Sequence, residues 1–108
     1  MQFSDMFKAP EAEGKEKHVP VIELEEGGVR VTVGKEVAHP NTAEHHIAWV
    51  ELYGVTKHDM VIYLGKADFA PGFTEPNALF AVKKEEFKTF FATAYCNLHG
   101  VWQNSLNL

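Results

Sequence analysis

The sequence predicts an all-β fold, an immunoglobulin-like antiparallel β-sandwich of about seven strands. Short runs of β-branched and aromatic residues recur along the chain, and Gly, Pro and Asn turn signals separate them. No long stretch shows the 3.6-residue periodicity of an amphipathic helix. The chain has a single cysteine, so it lacks the Cys–Trp–Cys pattern of antibody domains, and the likeness to immunoglobulins is one of architecture alone.

The N-terminal segment, about residues 1–18, is predicted to be rich in loops. Residues 3–9 are expected to form one helical turn with Ser4 as its N-cap. Residues 10–18 hold one Pro, one Gly and five charges, which is typical of an exposed loop. Residues 1–108 are interpreted as a single domain, because splitting 108 residues would leave two cores too small to be stable.

Turn signals divide the rest of the chain into strands. Gly27-Gly28 predicts a hairpin turn, because both residues can take a positive φ. Residues 39–42, Pro71-Gly72 and Pro76-Asn77 mark loops. The strand candidates in chain order are residues 19–25, 29–33, 46–53, 60–64 (continued by 66–70), 79–82, 87–95 and 101–102.

Composition excludes several classes of function. A net charge of −5 and a pI of about 5.6 argue against a general nucleic-acid binder. No apolar run approaches the roughly 20 residues that span a bilayer, and the N-terminus lacks the pattern of a signal peptide, so no membrane partner is expected. Cys96 cannot form an intrachain disulfide, and a lone cysteine fits a cytoplasmic location.

Candidate metal ligands are frequent in this chain. It has six histidines, and imidazole and thiolate are the main protein ligands of iron, zinc and copper. Cys96-Asn97-Leu98-His99 is the sharpest local feature, because a turn ending at Gly100 can aim a sulfur and an imidazole at one point. On its own this pair is more often a buried core cysteine beside an ordinary histidine.

Three further histidines lie near predicted strand starts. His39 and His45-His46 flank a loop that enters a strand, where ligands can be presented without disturbing the core. Taken singly, each of these blocks is more often an exposed polar loop with ordinary surface histidines, and His58, in a predicted hairpin turn, is interpreted as a surface residue.

His18 ends a charged run. Such a run is usually a solvated surface, but a metal ligand at its end would carry Lys17 and Glu16 to the edge of the same site.

Chemistry inferred from residue types alone leaves alternatives open. A cysteine nucleophile paired with a histidine base leaves the other histidines unexplained. A structural zinc site normally has four protein ligands and no open coordination position, and its ligands are typically rich in Cys. One cysteine with several histidines from separate loops fits this pattern poorly. A blue-copper-like electron-transfer site is the stronger competitor, but no Met follows His99 to serve as its axial ligand. A metal-free β-sandwich binding module also remains.

Taken together, three separated blocks resemble the iron-binding blocks of superoxide reductases of the one-iron, neelaredoxin-like type. The related desulfoferrodoxins have an additional N-terminal cysteine-bound iron domain, which a chain with one cysteine is not expected to have. The resemblance is weakest over residues 54–86. The blocks are Glu16-Lys17-His18-Val19-Pro20, residues 39–49 (His-Pro-Asn-Thr-Ala-Glu-His-His-Ile-Ala-Trp) and residues 96–102 (Cys-Asn-Leu-His-Gly-Val-Trp).

The resemblance implies one-electron reduction of superoxide to hydrogen peroxide at one mononuclear non-haem iron (Fe²⁺/Fe³⁺) per chain. It also implies a rubredoxin-like electron donor and a homo-oligomer, with a tetramer as one form. His46 would not be a ligand. The implied roles are four equatorial nitrogens from His18, His39, His45 and His99, an axial thiolate from Cys96, a sixth ligand in the ferric state from Glu16, and attraction of the anionic substrate by Lys17.

Overall fold

The chain folds into two antiparallel β-sheets packed face to face, as a computed structural model describes for residues 1–13 and 17–108. One sheet has three strands and the other has four. The strands are β1 (Pro20–Glu25), β2 (Gly28–Val33), β3 (Ile47–Thr56), β4 (Val61–Asp68), β5 (Asn77–Phe80), β6 (Phe87–Cys96) and β7 (Gly100–Asn107).

The strand orders are β1-β2-β5 in one sheet and β4-β3-β6-β7 in the other. All strand neighbours pair antiparallel. The prediction of an all-β sandwich with seven strands is therefore confirmed for the described residues.

The core lies between the two sheets. Val29 and Val31 of β2 are fully buried, and they pack in one cluster with Leu52 of β3 and Phe90 of β6. Each such side chain contributes roughly 1.5–3 kcal/mol by leaving water. This core ties the sheets together and holds the strand ends that carry the candidate ligands.

Four strands differ by two or more residues from their predicted extent. β3 continues to Thr56 instead of ending at residue 53, and β5 spans Asn77–Phe80 instead of residues 79–82, so Asn77 belongs to a strand and not to a loop. Residues 60–64 and 66–70 form the single strand β4, because the break expected near Gly65 is a register shift opposite Leu52/Tyr53 rather than a turn. The predicted strand 101–102 extends to Asn107. Its polar residues resemble a loop in sequence, yet β7 is an edge strand that pairs with β6 from Cys96↔Gly100 to Thr89↔Asn107.

Two local predictions also need correction. The first hairpin turns at Glu26-Gly27, since Gly28 already pairs with Glu25 in the ladder. Ser4 is not the N-cap: the first helical turn is a 3-10 segment, Phe3–Met6, capped at Gln2. Asp5 accepts the Gln2 backbone N–H at 2.9 Å, which satisfies the start of this turn.

Within the described part of the chain, no helix has the length and apolar character that crossing a membrane requires.

Candidate metal centre

Four imidazoles form a closed ring at one end of the sandwich. Going around this ring, the centroid separations are 4.8 Å for His18–His39, 4.8 Å for His39–His45, 5.0 Å for His45–His99 and 4.9 Å for His99–His18. Neighbouring rings meet edge to face, at interplanar angles of 68–83°. We call this arrangement the four-histidine cluster.

A buried thiol completes the group. Cys96 is fully buried, and its Sγ lies 3.6 Å from Nδ1 of His99. One ligand atom each from His18, His39, His45 and Cys96 lie within 4.8 Å of one another. Nδ1 of His99 is also 3.1 Å from Nε2 of His18, so the fourth imidazole aims at the same point.

Separate chain segments supply these side chains. His18 lies two residues before β1, and His39 and His45 lie in the connection between β2 and β3. Cys96 is the last residue of β6, and His99 lies in the turn that leads into β7. The strands therefore end at the same edge of the sandwich and bring together residues as far apart as positions 18 and 99.

The turn after β6 holds the thiol and one imidazole at a fixed separation. Cys96 pairs with Gly100 at the end of the ladder, which leaves residues 97–99 as a three-residue loop. Gly100 has a φ of +85°, a backbone conformation that glycine adopts at little cost. The local prediction that this turn aims Cys96 and His99 at one point is confirmed by their 3.6 Å contact.

Asn97 connects this turn to the loop before β3, a role that sequence reasoning missed. Its Oδ1 accepts the His46 backbone N–H at 2.9 Å, and its Nδ2 donates to the Glu44 carbonyl at 2.9 Å. In return, the Asn97 backbone N–H donates to the His46 carbonyl at 3.2 Å. An asparagine in a turn was the available signal, but its partners lie about fifty residues away.

Two imidazole nitrogens are free to bind a metal. Nδ1–H of His39 donates to the Pro40 carbonyl at 2.7 Å, which leaves Nε2 with its lone pair pointing inward. Nε2 of His39 and Nε2 of His45 are both buried and have no hydrogen-bond partner among the described residues. Buried polar atoms are normally paired, so these two nitrogens fit a metal ion as their partner.

Electrostatics favour the neutral, metal-binding form of these imidazoles. Burial lowers the pKa of His39 to about 4, and the charges of His18, His45 and Lys17 act in the same direction. Burial also lowers the pKa of His45, with the His99 charge as the next cause. Metal ligands must be deprotonated, so the lowered pKa of His39 keeps this imidazole in the required neutral state at neutral pH.

His18 is held on two sides by residues that sequence analysis did not select. Its ring stacks on Trp102, with centroids 4.8 Å apart and planes 12° apart. Its Nδ1 lies 3.0 Å from Oε1 of Glu13. Glu13 belongs to the charged run that is predicted to be a solvated surface, but its side chain is only 14% exposed.

Glu13 is ionised at neutral pH. Burial raises the pKa of this carboxyl, but hydrogen bonds from His18 and from three backbone N–H groups outweigh burial and hold the pKa below its ordinary value. A carboxylate that accepts several N–H bonds is stabilised in its charged form.

The remaining predicted residues are placed as follows. Lys17 is half-buried beside the cluster, and its backbone N–H donates to Glu13. His46, expected not to be a ligand, donates from Nδ1 to the Thr42 carbonyl at 3.0 Å instead. His58 is exposed in the β3–β4 turn, as expected. Glu16 lies outside the described residues.

The chain is similar to known proteins over most of its length. The family model described as Desulfoferrodoxin matches residues 11–105. A superoxide reductase of Pyrococcus horikoshii is 46% identical over 101 residues, which cover 86% of this chain and 88% of that protein. Neelaredoxin of Megalodesulfovibrio gigas is 34% identical over an alignment of 125 positions, which covers 97% of this chain and 95% of that protein.

Solved structures show the same relationship. A crystal structure of superoxide reductase in the oxidised state superposes with a TM-score of 0.87 at 39% identity, covering 99% of each chain. The family is thus matched in sequence along most of the chain and in fold along nearly all of it. By its family-model match, its sequence identity and its sandwich with a His/Cys group at one end, this chain belongs to the desulfoferrodoxin family.

Proposed function

We propose that this chain is a superoxide reductase, which reduces superoxide to hydrogen peroxide at a mononuclear non-haem iron centre. The observation that supports this proposal is the four-histidine cluster with the buried Cys96 thiol beside it. The ligands would be His18, His39, His45, His99 and Cys96.

The donor set matches the proposed metal. When bound, a ferrous ion would supply the single electron that superoxide accepts. Cys96 would bind as a thiolate, and its sulfur would donate electron density to the metal. The sulfur is fully buried, which protects the thiolate from reactions with solvent species.

Lys17 would attract the substrate. The chain has a net charge of −5, which repels an anion at long range. At physiological salt, charges beyond roughly 8 Å are largely screened, so a lysine at the site can dominate the local potential. The Lys17 charge already acts on His39 and His45, which supports its closeness to the metal position.

The solvent-facing edge of the site would supply protons. Superoxide needs one electron and two protons to become hydrogen peroxide, and no other product forms. His99 is exposed and Lys17 is half-buried, so water can reach this side of the cluster. Glu16 would bind the ferric ion and leave the ferrous one, a role that rests on the family resemblance.

The same exposed edge gives an external electron donor access to the centre. We propose a rubredoxin-like donor, a cytoplasmic location and a homo-oligomer, with a tetramer as one form. These three proposals rest on the family resemblance and the lone cysteine.

Metal analysis combined with visible absorption tests the central proposal. We expect one iron per chain and a reversible band that appears on oxidation. Copper with an intense blue band would favour the electron-transfer alternative, and a chain without metal would favour a binding module. Cys96→Ser should abolish the visible sulfur-to-iron charge-transfer band. Survival of the band would exclude Cys96 as a ligand.

Neighbouring histidines provide a matched pair of variants. His45→Asn removes one histidine of the four-histidine cluster, whereas His46→Asn removes an imidazole that donates to the Thr42 carbonyl outside the cluster. Iron content should fall in the first variant and stay near one per chain in the second. The reverse result would contradict the proposed ligand set.

A further inference from the structure

Glu13 is connected to the metal-binding region by four hydrogen bonds. Its Oε1 lies 3.0 Å from Nδ1 of His18. Its Oε2 accepts backbone N–H groups of Lys17 at 3.1 Å, His18 at 2.9 Å and Val19 at 2.9 Å. Both oxygens of one carboxylate are therefore used on the segment that carries one proposed ligand.

The contact between Glu13 and Nδ1 determines which nitrogen of His18 can bind a metal ion. An ionised carboxylate only accepts hydrogen bonds, so Nδ1 of His18 must carry the proton. Nε2 then keeps its lone pair, and this is the nitrogen that lies 3.1 Å from His99 within the cluster. A carboxylate that orients a ligating histidine in this way also raises its basicity.

The three backbone contacts fix where His18 stands. They hold the chain immediately before β1, and the stack on Trp102 then sets the plane of the His18 ring. The position, tautomer and ring plane of His18 are thus each determined by a contact with a residue outside the four-histidine cluster.

We propose that Glu13 is a positioning residue of the metal centre, which fixes the Nδ1–H tautomer and the placement of His18. This inference rests on the proposed function only in that His18 is taken as a metal ligand. Glu13 lies outside the ligand set proposed above and acts through the His18 ring and the backbone of residues 17–19.

Glu13→Gln tests the proposal with little change in volume. An amide offers one acceptor oxygen and one donor nitrogen, so it cannot accept both the His18 Nδ1–H and the backbone N–H groups. Glu11→Gln is the matched control, because it removes the same charge from an exposed residue two positions earlier. Far-UV circular dichroism of each variant verifies that the β-sheets are retained.

The first measurement is affinity for Fe²⁺, by anaerobic competition with a chromophoric chelator. Loss of such a partner typically weakens metal binding about 10–100-fold. We expect a loss in this range for Glu13→Gln and no change for Glu11→Gln.

The second measurement uses the metal-free protein. Nitrogen-15 shifts of the His18 ring should show a single Nδ1–H tautomer in the unsubstituted protein and in Glu11→Gln. In Glu13→Gln they should show a mixture of tautomers.

The two measurements separate two kinds of failure. If Glu13→Gln kept the single tautomer and bound Fe²⁺ within about twofold of the unsubstituted protein, the positioning role would be overturned. If the unsubstituted protein bound no iron but Glu13→Gln still lost the tautomer, the proposed function would fail while the placement of His18 by Glu13 would stand.

Discussion

Replacing Trp102 by leucine should weaken both the fold and the support of His18. Trp102 is 5% exposed, and its ring stacks on His18 at 4.8 Å. The Lys8 ammonium lies over the same ring, 5.3 Å from its centroid. Leucine keeps the site apolar but removes both ring contacts.

The magnitude follows from the contacts removed. An aromatic pair contributes about 0.5–1.5 kcal/mol beyond burial. An exposed cation–π contact contributes about 0.5–1 kcal/mol. Truncating a buried Trp to Ala costs about 3–5 kcal/mol, and leucine refills only part of that space. We therefore expect Trp102→Leu to lower the free energy of unfolding by about 2–4 kcal/mol, and Trp102→Phe, which keeps a ring, by about 1–2 kcal/mol.

Urea denaturation of the metal-free protein, followed by far-UV circular dichroism, measures these changes. Lys8→Gln, alone and combined with Trp102→Leu, completes a double-mutant cycle. The Lys8 backbone is held independently, because its N–H donates to the Val101 carbonyl at 2.9 Å and its carbonyl accepts from Gln103 at 2.8 Å. Lys8→Gln should cost about 0.5–1 kcal/mol in the unsubstituted chain and nearly nothing in the Trp102→Leu background, where no aromatic ring remains under the ammonium.

Two results would refute this reasoning. A loss below about 1 kcal/mol for Trp102→Leu would mean that the ring contributes no more than a generic apolar side chain. An equal cost of Lys8→Gln in both backgrounds would show that the ammonium does not interact with the ring.

Three other variants test separate features. Lys17→Ala should slow the second-order reaction with superoxide and weaken its salt dependence, and an unchanged rate in pulse radiolysis would count against the substrate-attracting role. Glu16→Ala should leave the rate of the reduced protein nearly intact but change the ferric absorption spectrum, and an identical spectrum would remove Glu16 from the ligand set. Gly28→Ala should destabilise the fold, because Gly28 has a φ of +143° and an added Cβ would lie 2.0 Å from the Phe80 carbonyl oxygen; a thermal midpoint equal to that of the unsubstituted chain would contradict this.

Local patterns were sufficient to predict most strands. Val29, Val31 and Val33 alternate with polar residues in the sequence, and all three are buried in β2. The Cys96–His99 turn was predictable for the same reason, since Cys96, His99 and Gly100 lie within five consecutive residues. Such features depend on neighbours in the chain, whose geometry is set by the backbone period.

Features that depend on distant partners were not predictable in this way. The extent of β7 follows from its pairing with β6, although its own residues are largely polar. The role of Asn97 was missed because its hydrogen-bond partners, Glu44 and His46, lie in another loop. Cross-strand pairing and loop docking are determined by packing of the whole domain, so no short window of sequence contains them.

The sequence by itself determined the fold class and, through the resemblance of three separated blocks, the list of residues proposed as ligands. Only the tertiary structure decided that four imidazoles close into a ring beside a buried thiol. It also decided that the Glu13 side chain is mostly buried and contacts Nδ1 of His18, although the sequence places it in a charged run. The physical reason is that composition and periodicity specify which groups are available, whereas the partner of each group depends on how separate strands pack.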